Sequence, residues 1–190
     1  LKDYENNGLK PTYTGGSMEE YHKVVHQYLL KSSPAIIKSF LETTRGCKFR
    51  CHFCSIPNLS GGNVRNKPPL EVVELLQKIK RHYSRITFLD NNIYSDPNYA
   101  KELFEALKPL KIKWQAFCTI DIAKNEKLLA LAKASGCDML AIGYEITGDS
   151  PEHEQRGKFA MADRYLSYSQ KIKDAGIKIK AGFIWGFDSD

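Results

Sequence analysis

The sequence predicts an α/β fold in which parallel strands alternate with crossover helices, and three observations lead there. Short runs rich in apolar, β-branched and aromatic residues alternate five times with longer stretches whose apolar residues recur every three to four positions. Neighbouring parallel strands need a long crossover, usually a helix, so this alternation is the pattern of a parallel sheet. Polar and glycine residues that a packed core does not require gather just after the strand-like runs, at the edge where parallel α/β folds build their sites.

Composition sets the frame. At 190 residues the chain can bury one sizeable core, and 42% hydrophobic with 26% charged residues is the balance of a globular protein. The net charge is +6, but Lys and Arg are spread along the chain and fall mainly on predicted helix faces. They read as solvated surface rather than a nucleic-acid interface. No apolar run approaches the ~20 residues of a membrane span, and no secretory signal pattern opens the chain. The chain starts at Leu1 and stops at Asp190 directly after a strand-like run, so the expectation is a portion of a longer protein.

Residues 1–14 are polar and turn-rich, with Asn6-Asn7-Gly8 and Lys10-Pro11, and read as a linker. Ser17 and Glu20 form a capping-box pattern for a helix over 18–30, whose apolar face carries Tyr21, Val24, Val25, Tyr28 and Leu29. The first strand is expected over 35–43. A cysteine-bearing loop follows, kept irregular by Gly61-Gly62 and Pro68-Pro69. Val72, Leu75, Leu76 and Ile79 mark a helix over 70–83, and 86–89 is the second strand, ending in Asp90-Asn91-Asn92. Asp96 caps the next helix with Pro97 at its first position, and Ala100, Leu103, Phe104 and Leu107 give its buried face. The alternation of Ile112, Trp114, Ala116 and Cys118 marks the third strand, closed by Thr119, Ile120 and Asp121. A helix through Leu128, Leu129, Leu131 and Ala132 stops at Gly136. The fourth strand, 139–146, carries Glu145 and opens into a polar loop over 147–158. A last helix runs from about 161 to 175, with Gly176 after it, and 177–185 is the fifth strand.

The chemistry concentrates in Arg45-Gly46-Cys47-Lys48-Phe49-Arg50-Cys51-His52-Phe53-Cys54, which holds three of the five cysteines at spacing Cys-x3-Cys-x2-Cys. Three thiolates in one short loop can reach one metal centre and leave a corner open for a small molecule. Spacing alone leaves alternatives. Zinc could be held with a histidine such as His52, although no second ligand pair follows, and the group could be reactive or merely buried thiols. Cys118 and Cys137 read as small buried hydrophobes, and Trp114 and Trp185 as core residues.

The loop resembles the Cys-x3-Cys-x-aromatic-Cys signature of the radical S-adenosylmethionine superfamily, with Phe53 at the aromatic position. The resemblance implies a partial (β/α)6 TIM-like barrel, truncated after the fifth strand, over residues 35–190. It also implies that Cys47, Cys51 and Cys54 hold three irons of a [4Fe–4S] cluster whose fourth iron takes S-adenosylmethionine. Cys54-Ser55-Ile56-Pro57-Asn58, with Gly61, Gly62, Val64 and Arg65 beyond, is similar to the cobalamin-dependent branch, as is Gly186-Phe187-Asp188-Ser189-Asp190. Residues 1–34 then look like a linker and helix following a cobalamin-binding domain.

The resemblance assigns further roles. Glu145 in Ile142-Gly143-Tyr144-Glu145 matches the ribose-binding position, and Gly182-x-Ile184-x-Gly186 resembles the adenine motif. Asp90-Asn91-Asn92 stands where the family has a Gly-Gly-Glu-like turn for the methionine amino group; the family's general motif is absent, and the turn is similar to that of the cobalamin-dependent branch. Read from the residues themselves, Thr119 lies on the same rim, and Arg156 or Lys158, in the loop after the fourth strand, is placed to meet a substrate carboxylate. Each also has a plainer reading: turn formers at 90–92, a solvent-facing Glu145, bend glycines at 182 and 186, and a surface Arg156. The implied activity is reductive cleavage of S-adenosylmethionine to a radical that abstracts hydrogen from a small-molecule substrate, leading to methylation or ring rearrangement. The implied electron source is a flavodoxin or ferredoxin, and the reduced thiols imply a cytoplasmic setting. Other readings are a cobalamin-independent member such as a methylthiotransferase, and a zinc or iron–sulfur binding module without turnover.

Overall fold

The structure, a computed structural model, describes residues 39–79, 85–146 and 157–186. The helix expected over 18–30, the start of the first strand, Arg156 and the Asp188–Ser189 positions lie outside the described residues.

Five strands form one sheet: β1 (Phe40–Leu41), β4 (Arg85–Phe88), β5 (Lys113–Cys118), β6 (Cys137–Glu145) and β7 (Lys178–Phe183), in that spatial order. Every neighbouring pair is parallel. Strands adjacent along this series are adjacent in space, the order of a barrel wall laid down strand by strand. The crossovers carry α2 (Pro69–Ile79), α3 (Pro97–Leu107), α4 (Glu126–Ala134) and α5 (Tyr165–Asp174).

Local chemistry explains the helix boundaries. Asp96 accepts from the backbone N–H groups of Asn98 and Tyr99 at 3.0 and 3.2 Å, and Pro97 opens α3. The Asn125 side chain accepts from Leu128 N at 3.0 Å and starts α4. The last helix is shorter than expected, because residues Gly157–Arg164 form a 3-10 turn before α5. Strand β6 starts at Cys137, two residues earlier than its apolar pattern suggested, since Gly136 O already accepts from Trp114 N at 2.9 Å.

The core lies between the sheet and these helices. Trp114 is fully buried, stacked on Phe104 at 5.1 Å and edge-on to Phe88 at 5.6 Å, with its indole N–H donating to Ser135 O at 3.1 Å. Val72, Leu76, Ile86, Leu103, Leu107 and Leu140 complete it. Trp185 departs from the core reading and is 77% exposed, beyond the end of β7. Among the described residues no helix is long and apolar enough to cross a membrane.

The segment between β1 and α2 is more ordered than its glycines and prolines implied. β2 (Thr44–Arg45) pairs antiparallel with β3 (Arg65–Asn66), and a one-turn helix, α1 (Ile56–Leu59), lies between them. This small clamp closes the cysteine loop at both ends and seats it over the C-terminal rim of the sheet.

Candidate metal centre

Gly46 sets the loop's departure from the clamp. Its φ is +97°, and a Cβ there would lie 2.1 Å from Asn63 O, so space and backbone both demand glycine. Its N–H donates to Asn91 Oδ1 at 3.1 Å, which ties the loop to the end of β4. A turn closed by Cys54 N donating to Cys51 O at 3.1 Å brings the last two thiols round.

Cys47, Cys51 and Cys54 are half-buried and line one cavity of about 150 Å³. The wall facing them is built from strand ends: Asn91 after β4, Thr119 after β5, Gly143 and Glu145 on β6, with Lys158 from the following 3-10 turn. Among the described residues no three His, Cys, Asp or Glu side chains converge as ligands of a single ion. Thiols ringing a cavity suit a multi-atom cluster; a lone zinc needs its ligands drawn together at Zn–S of about 2.3 Å. Burial pushes the Cys51 thiol up, Lys158 pulls it down, and the Cys47 and Cys54 thiols push it up further. A metal held by Cys51 would therefore have to displace its proton.

Residues 41–190 match the radical SAM superfamily. The chain belongs to that superfamily. It is 28% identical over 155 residues to bacteriochlorophyllide d C-12(1)-methyltransferase of Chlorobaculum tepidum, covering 77% of this chain and 33% of that protein. It is 26% identical over 171 residues to the hopanoid C-2 methylase of Rhodopseudomonas palustris, covering 86% of this chain and 32% of the relative. The chain thus spans about a third of the curated relatives it matches. In fold it is similar to OxsB, a cobalamin-dependent S-adenosylmethionine radical enzyme solved with aqua-cobalamin and S-adenosylmethionine. That match has a TM-score of 0.68 and 17% identity, over 98% of this chain and 32% of OxsB. The methyltransferase TsrM from Kitasatospora setae, solved with cobalamin and a [4Fe–4S] cluster, superposes with a TM-score of 0.65 and 16% identity. The match covers 78% of this chain and 31% of TsrM.

Within this radical SAM fold the predicted site residues divide. Asn91, Thr119 and Phe53 line the cavity wall, and Phe53 stacks on Phe159 at 5.7 Å. Asn92 is fully buried beside Cys47, and its Oδ1 already accepts from Tyr94 N and Thr119 N at 3.0 and 3.2 Å. Asp90 turns the other way. It is fully buried and accepts from Thr43 N and Thr43 Oγ1 at 2.6 and 2.5 Å, which bolts the end of β1 to the end of β4. Burial pushes its carboxyl up to about 7, against the Thr43 hydrogen bonds, which lower it.

Glu145 sits on the rim in a left-handed conformation, φ +69°, where the register of β6 against β7 shifts. A non-glycine residue there marks local strain of the kind that collects at functional sites. Its Oε1 pairs with Lys158 Nζ at 2.6 Å, both side chains largely buried. Gly143 makes room for that pair, since a Cβ on it would lie 2.2 Å from Glu145 Oε1 and 3.0 Å from Lys158 Nζ. Lys158, expected in a polar loop, is 8% exposed.

Gly182, Ile184 and Gly186 stand on and beyond β7, outside the cavity. Strand β7 ends two residues before the predicted end, and just past it the Ile184 N–H donates to Glu145 O at 2.8 Å.

Three contributors were given no role by sequence reasoning. Lys48 reaches Asp121 Oδ2 at 2.7 Å and lies over the Tyr94 ring at 4.1 Å. Cys118 lines the cavity, although burial drives its thiol well up and its S–H donates to Thr119 O at 3.4 Å. Gly143 precedes the ribose-position carboxylate by two, and that i, i+2 spacing on one face of a strand was the available signal.

Proposed function

We propose that this chain is the radical-generating core of a cobalamin-dependent radical SAM enzyme of the methyltransferase type. The observation that carries the reading is the joining of the signature cysteines and the strand-end residues of β4, β5 and β6 around one cavity. Cys47, Cys51 and Cys54 would hold a [4Fe–4S] cluster. The chemistry such a cluster supplies is one-electron reductive cleavage of S-adenosylmethionine, giving methionine and a 5′-deoxyadenosyl radical that takes hydrogen from a small-molecule substrate.

The chain's own residues bind, orient and shield. Glu145 is an acceptor suited to the paired hydroxyls of a ribose. Lys158, held beside it, offers the cation that a carboxylate needs; Arg156, two residues earlier in the sequence, is the alternative. Asn91 Oδ1 takes one N–H from Gly46, which leaves a lone pair for a ligand amino group. Thr119 meets the same wall, and Phe53, stacked on Phe159, sets an apolar ring beside the thiols. Ile184 is bonded to Glu145 O, and glycine at 182 and 186 leaves no side chain in the way of a flat adenine laid along this stretch.

Cobalamin, present in the OxsB and TsrM structures, is proposed as the second cofactor. Residues 1–34 would link its domain to this one. A flavodoxin or ferredoxin would supply electrons, and a cytoplasmic setting would keep the thiols reduced.

The test is electron paramagnetic resonance on the full-length protein, reconstituted anaerobically with iron and sulfide and reduced, with and without S-adenosylmethionine. The expected result is a reduced [4Fe–4S] signal that changes when S-adenosylmethionine is added and is absent from the Cys47→Ala, Cys51→Ala and Cys54→Ala variants. Uptake of zinc with no cluster signal overturns the reading.

A further inference from the structure

Asn92 was expected to offer an oxygen to a ligand. Its hydrogen bonds give it a different direction. Oδ1 accepts from two backbone N–H groups, Tyr94 at 3.0 Å and Thr119 at 3.2 Å, which fixes which end of the amide is which. Nδ2 must then face the other way, toward Thr119 Oγ1 at 3.0 Å and Cys47 Sγ at 3.9 Å. The Thr119 hydroxyl cannot return the donation, because its proton goes to Asp121 Oδ1 at 2.5 Å. Asp121 in turn is charged against Lys48 at 2.7 Å. The direction of each bond from Asp121 to Asn92 is thereby assigned, and the amide's second N–H has the cysteine sulfur as its acceptor. The chain is anchored in the fold: Asn92 is fully buried, Thr119 is 7% exposed and Asp121 8%.

We propose that Asn92 is a positioning residue for Cys47, and that its N–H···S contact, held in place by Thr119 and strengthened by the two backbone N–H groups that polarise the amide at Oδ1, raises the reduction potential of the metal group these cysteines hold. It rests on the reading of Cys47, Cys51 and Cys54 as cluster ligands. The physical ground is simple. One electron added to a thiolate-ligated cluster increases negative charge on the sulfurs, and a donor aimed at one of them stabilises the reduced form more than the oxidised form. No proton moves and no covalent bond changes; the electron comes from the external reductant.

The experiment is a redox titration with dithionite on full-length reconstituted protein, followed by the reduced-cluster signal. Asn92→Leu is expected to lower the reduced-to-oxidised ratio at a fixed ambient potential by up to about tenfold, a fall of about 59 mV for a one-electron couple. Thr119→Val keeps the amide N–H of residue 119 and with it both anchors of Asn92 Oδ1; it is expected to shift the potential down by less. Asn92→Asp keeps the shape and an acceptor for both backbone N–H groups but sets an oxygen against Sγ, so the potential falls in this variant as well. If Asn92→Leu fails to assemble a cluster, the Asp and Val variants decide. Variants that load normally and titrate at the wild-type potential overturn the proposal and leave Asn92 a turn former. A wild-type protein that takes up no cluster defeats the underlying reading instead, so the two failures are distinct.

Discussion

The two halves of the strand-end rim are built on opposite plans. On the β4–β5 side, Asn91, Asn92, Thr119, Asp121 and Lys48 bond to one another or to the cysteine loop, so most of the hydrogen-bonding capacity holds protein to protein and only Asn91 Oδ1 keeps a lone pair toward the cavity. On the β6–β7 side a strained Glu145 has one buried cation, and the strand beside it is exposed along most of its length. The first half is pre-organised scaffold for the thiols. The second half sets a charge pair beside an exposed strand, the arrangement that suits a ligand-receiving side. Strand ends that look alike in sequence thus do different work.

The largest expected effect breaks the scaffold half. Gly46→Ala places a Cβ into Asn63 O in a left-handed backbone, and about 3 kcal/mol or more of stability should be lost together with iron uptake. Iron content per chain and a urea melt check this; normal loading would show that the clamp is not needed.

Next come the two lysines, one per half. Lys158→Met leaves Glu145 without its partner. Fully buried pairs lose about 3–5 kcal/mol on such a change, and the residual exposure of Glu145 brings the expectation to about 2 kcal/mol. Affinity for S-adenosylmethionine should fall as well, and Glu145→Gln in the same chain should return most of the stability but not the affinity. Lys48→Met leaves Asp121 with the Thr119 hydroxyl, so about 1–2 kcal/mol is lost and affinity for S-adenosylmethionine is retained. Equal affinity losses in both variants would erase the distinction between the halves.

Asp90 gives the scaffold half a pH signature. Its folded carboxyl titrates near 7, against an ordinary value of 3.8, because it is desolvated. The folded state therefore binds the proton more tightly than the unfolded chain, and stability falls as pH rises from about 4 to about 7, then levels. The total fall is at most about 4 kcal/mol, since each pH unit between the two values contributes ~1.4 kcal/mol. Asp90→Asn should flatten that part of the profile of the metal-free protein, measured by denaturant melts across the range. An unchanged slope would place the titration elsewhere.

Much of this was legible from residue order. Alternation of the two periodicities gave the parallel sheet, and Asp96-Pro97 and Gly136 gave helix ends, because those signals are local. The cysteine spacing gave the candidate metal centre for the same reason. Directions of side chains were not legible. Asp90, Asn91 and Asn92 are consecutive, yet one points to β1, one to the loop and one to β5, since a turn fans its side chains and only the packed neighbours reveal where. Lys158 read as loop because its partner, Glu145, is 13 residues away and becomes its neighbour only when β6 and the 3-10 turn pack.

The smallest effect on stability is the sharpest comparison. Gly143 and Gly182 face each other in the register of β6 and β7. A methyl on Gly143 drives into the Glu145–Lys158 pair, whereas a methyl on Gly182 meets only Ile142 O at an ordinary 3.8 Å. Gly182→Ala should thus change stability by no more than about 0.5 kcal/mol. If an adenine lies against that strand, the added methyl stands in its place, and affinity for S-adenosylmethionine drops several-fold while cluster loading stays normal. Calorimetric titration of the loaded protein decides it. Unchanged affinity would mean that Gly182 is a bend residue, and that the ligand-receiving half ends at Glu145.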